Sequence, residues 1–144
     1  MGNLLDLANR LDRIGPQVEE AVNERKKDVA LALVSELVWV TPVDTSKALS
    51  NWQVDTEGFL LDSIDAHFPG EKGSTQRASA LEAIAAAKRE LEHARPGKAL
   101  LIFNNVPYIR RLNEGYSAQA PAGFVEKAIV VARRVAAKKP LKLK

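Results

Sequence analysis

The sequence predicts an α+β fold, a long N-terminal helix and further helices packed on a small, mostly antiparallel sheet. Three observations carry it. Apolar residues recur at three- to four-residue steps from Leu4 through Leu7, Leu11, Ile14, Val18 and Val22 to Val29, Leu33 and Leu37, the period of one helix face. Trp52, Val54 and Thr56 alternate with Gln53 and Asp55, the period of a half-buried strand. An alanine-rich helical run then leads to a second apolar segment at 98–104, bounded by turn residues.

Each element has its own punctuation. Gly15-Pro16 interrupts the first apolar pattern, so a short leading helix is expected, with a long one starting at Pro16. Glu20 and Glu24 form a like-charge pair, so this helix is not optimised to stand alone. Nearly every position from 29 to 40 is apolar, which predicts a stretch enclosed on most sides, in part by other copies of the chain. Pro42 ends the helix, because the residue before a proline disfavours helical backbone. A turn over 41–46 and a short helical turn over 47–49 lead to the strand. Residues 57–76, with Gly58, Pro69, Gly70 and Gly73 as breakers, read as a mobile loop. Ser74 or Thr75 caps a helix over 77–93, and Pro96-Gly97 ends it. After the strand at 98–104 come a short helix over 107–113, a stop at Gly115, and a last helix from Pro121 that Pro140 closes. We read 1–136 as one domain and 137–144 as a basic tail.

Composition narrows the classes. The chain has 144 residues, 46% hydrophobic and 27% charged, which suits one globular domain rather than a disordered or fibrous chain. The absence of cysteine excludes a disulfide scaffold, thiolate zinc and cysteine nucleophiles. Asp6 stands where a secretory signal would be basic and where a myristoylation motif has Ser or Thr. The most apolar stretch is 29–40, short of the ~20 residues of a membrane span. A soluble protein with no membrane partner is expected.

Candidates for chemistry are sparse. His67, flanked by Ala66 and Phe68, is the one candidate general base, and a lone loop histidine is more often a surface residue. His93 falls in the last turn of a predicted helix, where a cation suits the helix dipole. Asp62 and Asp65 would suit a hard cation or simply water. No metal-ligand spacing, nucleophile elbow or phosphate loop occurs, so no cofactor and no enzymatic activity are expected. The net charge of +3 is uneven: residues 121–144 carry seven basic residues and Glu126, whereas the remainder has 14 basic and 17 acidic residues. Arg133, Arg134, Lys138, Lys139, Lys142 and Lys144 therefore form a candidate polyanion contact, without the aromatics of a base-reading surface.

Two segments say more. The first runs from Thr41 through Pro42, Asp44 and Thr45 to Trp52 and Gln53. The second carries Pro107, Tyr108, Leu112, Glu114, Gly115, Ala120, Pro121, Gly123 and Phe124. Together they resemble the minor tail or tail-completion (head–tail joining) proteins of long-tailed phages, in which a long N-terminal helix leads through a Thr-Pro-x-Asp-Thr-Gly turn to a Trp-bearing strand. One departure stands out: Ser46 occupies the glycine position, so a capping role for Thr45 or Ser46 is expected in place of a left-handed turn. The resemblance implies a non-enzymatic virion protein of the tail or neck, present in host cytoplasm during assembly. Its implied partners are its own copies in a ring of six, the tail-tube or tail-terminator protein and the head connector, with packaged DNA close by. The alternative is a small nucleic-acid-binding module using the basic end; an enzyme built on His67 ranks last.

Overall fold

The computed structural model describes residues 3–58, 62–115, 119, 122–138 and 141. Its elements are α1 (Leu4–Val40), α2 (Lys47–Ser50), β1 (Gln53–Asp55), α3 (Gln76–Leu91), β2 (Leu101–Phe103), α4 (Ile109–Asn113) and α5 (Phe124–Lys138). The two strands pair antiparallel, with Val54 opposite Ile102. The expected α+β class is therefore the observed one.

Helix α1 starts at Asn3, whose Oδ1 accepts the Asp6 N–H at 2.9 Å, and runs unbroken for 37 residues with Pro16 inside it. The expected break at Gly15-Pro16 does not occur. Proline removes the N–H that would bond the Asp12 carbonyl, and residues 3–20 are exposed throughout, so the freed carbonyl is not forced into an apolar interior. Only the second half of α1 joins the core. Ala30, Val34, Leu37 and Val38 are buried there, while Trp39 is exposed. Leu31, Leu33 and Val40 pack against that core too, so 29–40 is enclosed on most sides, as expected; a further row of uncovered apolar side chains lies earlier, on 4–22.

Alanines at 80, 83 and 87 give α3 a flat face against α1, joined by Leu91. Small side chains allow that close approach. Helix α5 packs along α1 more extensively than any other element does. It buries Phe124, Ala128 and Ala132, and the Arg25 Nη1 donates to the Ala136 carbonyl at 2.6 Å. The end of α5 therefore lies beside the point where α1 leaves the body. Strand β2 is shorter and more exposed than a buried strand over 98–104 would be, because in a two-stranded sheet its second edge has no partner.

Residues 62–75 are irregular, as expected, but they are strapped to the body. Asn51 exchanges two hydrogen bonds with the Ile64 backbone, at 2.7 and 2.8 Å. Ser50 Oγ accepts the His67 N–H, and Ser79 Oγ bonds both the N–H and the carbonyl of Phe68. Asp44 receives the N–H groups of Lys72 and Gly73. Within the expected loop of 57–76, residues 62–75 thus form a hydrogen-bonded strap.

Candidate functional site

Thr41 leaves α1 with φ −66° and ψ 129°, the extended backbone that Pro42 imposes. Its hydroxyl donates to the Leu37 carbonyl and accepts the Trp52 indole N–H at 2.8 Å. Both residues are buried, as is Pro42. The first motif thus closes the helix and anchors the tryptophan with one hydroxyl. Ser46 then takes φ 70° and ψ 8°. It makes no side-chain cap, and its Oγ instead bonds Thr75 Oγ1 at 2.9 Å. The capping role expected for Thr45 or Ser46 is absent, and the left-handed turn that glycine adopts most cheaply is kept. Thr75 likewise precedes α3 without capping it, its hydroxyl being engaged by Ser46.

The second motif is locked by Asn113. Its carbonyl accepts the Gly123 N–H at 2.7 Å, its Oδ1 accepts the Val125 N–H, and its Nδ2 donates to Glu126. Gly115 and Gly123 have φ of 94° and 81°, where a side chain would be strained. Phe124 is buried, Leu112 half-buried, and Pro107 and Glu114 exposed. Pro121 and Ala120 lie outside the described residues.

The two motifs meet. Pro42, Asp44, Thr45, Lys47, Tyr108, Leu112 and Gln119 are among the residues lining one cleft of about 360 Å³. Across it the Gln119 amide brackets Val43, accepting its N–H at 2.7 Å and donating to its carbonyl at 2.9 Å, as a strand partner would. Asp44 and Thr45 are exposed, and Tyr108 is 40% exposed. Partial burial, and then the Asp44 charge, push the Tyr108 phenol above its ordinary range. The cleft holds donors, acceptors and an apolar floor; among the described residues that line it, no nucleophile is paired with a base. Sequence reasoning missed Gln119, Asn113 and Asn51, whose bonds link residues far apart in the chain.

The other candidates stand apart. Burial lowers the His67 pKa, Glu82 opposes this, and Arg89 reinforces it. His93 lies two residues beyond the end of α3, its N–H on the Glu90 carbonyl, rather than within the last helical turn. Among the described residues, no three His, Cys, Asp or Glu side chains lie close enough to hold a metal ion. No helix among them is long and apolar enough to cross a membrane. Arg133, Arg134 and Lys138 are exposed on α5, whereas Lys139, Lys142 and Lys144 lie outside the described residues.

A second candidate surface lies on α1. Over 4–20 helix α1 is an arm about 25 Å long, with Leu4 85%, Leu7 52% and Leu11 59% exposed on one face. The spacing 4-7-11-14-18 alternates three and four, the narrow seam of a helix that packs on another helix. Compared with known proteins, the chain matches no family model, no curated protein and no solved structure.

Proposed function

We propose that this protein is a structural, non-enzymatic component of a phage virion that joins or completes the tail at the head, assembled as a ring of identical copies. The observation that carries the assembly reading is the arm of α1, a row of large apolar side chains that are exposed among the described residues. Contiguous exposed apolar surface on that scale marks a contact with another protein. Its place in a tail or neck rests on the resemblance of the two motifs. The motifs lining one cleft, the left-handed backbone at Ser46 and the long leading helix support that reading. Copies in a ring of six, the tail-tube or tail-terminator protein and the head connector are the proposed partners.

Electron microscopy of particles made with and without the protein tests this. The reading expects heads and tails that fail to join, and density for the protein at the neck when it is supplied. Complete, infectious particles lacking the protein would overturn it.

A second reading rests on the exposed Arg133, Arg134 and Lys138, a footprint for nucleic acid. Replacing Arg133, Arg134 and Lys138 by Glu and measuring DNA affinity against salt separates the two. A steep salt slope lost in that variant, with assembly intact, favours the nucleic-acid reading.

A further inference from the structure

We propose that the arm of α1 lies on the outer face of α5 in a second copy of this chain, a head-to-tail contact. Three features of the molecule identify this occupant. The first is charge. Residues 3–20 carry Asp6, Asp12, Glu19 and Glu20 against Arg10 and Arg13, a net of −2. Helix α5 carries Lys127, Arg133, Arg134 and Lys138 against Glu126, a net of +3, and all five of these side chains are exposed. The second is apolar match. The solvent side of α5 shows Val130 at 45% and Ile129 at 36% exposure, which offers the arm's leucine row something to cover. The third is geometry. Helix α1 is continuous through the point where Arg25 meets the end of α5. The arm therefore leads away from its own α5 and cannot turn back onto it. At 1.5 Å per residue, arm and α5 are of similar length, about 25 and 22 Å.

A contact between two different patches, repeated around an axis, closes a ring or propagates a filament. The contact thus supplies the joint that the assembly reading requires, and it rests on that reading. It also accounts for Gly15 and Pro16 within an exposed helix, which has nothing else to offset their low helix propensity.

Sedimentation equilibrium of the full chain tests the contact. Leu11→Asp is expected to weaken self-association by more than about thirty-fold, with the circular dichroism of the folded body unchanged. Reversing Arg133 and Arg134 to Glu is expected to weaken it about ten-fold, as is reversing Glu19 and Glu20 to Lys. An equimolar mixture of those two charge variants should recover association, because each then offers the complement of the other. Loss with Leu11→Asp but no effect of either reversal would place the arm against another arm and overturn the α5 contact. Association indifferent to all three variants would overturn it too, while leaving the virion reading to the particle experiment. A wild-type chain that stays monomeric at every concentration would overturn it outright.

Discussion

Ser46 shows how a single side chain is held against its own preference. A serine at φ 70° sits where glycine is unstrained, and holding a non-glycine residue there costs about 1 kcal/mol. The Thr75 hydrogen bond offsets part of that. Ser46→Gly is therefore expected to be more stable than Ser46→Ala by about 1 kcal/mol in urea unfolding. Ser46→Ala keeps the strain and loses the bond. Thr41 carries a different load: Thr41→Val keeps the volume but leaves the buried Trp52 indole N–H without its acceptor, an expected loss of about 1–3 kcal/mol. His67 contributes a pH dependence whose sign is set by burial. Its folded pKa is below the unfolded value near 6.5, so the unfolded chain takes up the proton first as pH falls. Stability should thus decline as pH drops below about 6.5, with Glu82 limiting the decline, and His67→Gln should flatten that part of the curve.

At the scale of elements, the arm and the body of α1 obey different rules. The body is fixed by Ala30, Val34, Leu37 and Val38. The arm is exposed over 3–20 among the described residues, so propensity decides its local stability. Pro16→Ala should raise hydrogen-exchange protection across 4–20, by up to about 3 kcal/mol locally, without moving the global unfolding midpoint. A shifted midpoint would mean that the arm is coupled to the core. Fully covering a leucine is worth about 1.5–3 kcal/mol, so several half-exposed ones amount to a strong drive toward a partner. The sequence made the stripe legible as a helix face, and Pro42 as its end. It did not make legible which part of the stripe faces the core, because the same spacing serves a core and a seam between molecules. The strap over 62–75 was hidden for another reason. Its breakers are local, whereas Asn51, Ser50 and Ser79, which hold it, act from other elements.

At the scale of the whole molecule, the α+β class followed from periodicity, but the meeting of the two motifs did not. It depends on Gln119 reaching Val43 across 76 positions of chain, a distance over which no local spacing carries information. The body and the arm together present a cleft at one side, a basic helix along the body, and an apolar rod leading off it. We propose that such a chain works in multiple copies. The most direct measurement is its mass in solution across a wide concentration range, alone and with a tail-tube and a connector protein. The account predicts a discrete multiple of the 15.8 kDa chain that forms with rising concentration. A mass of one chain at every concentration, with neither protein bound, would contradict it.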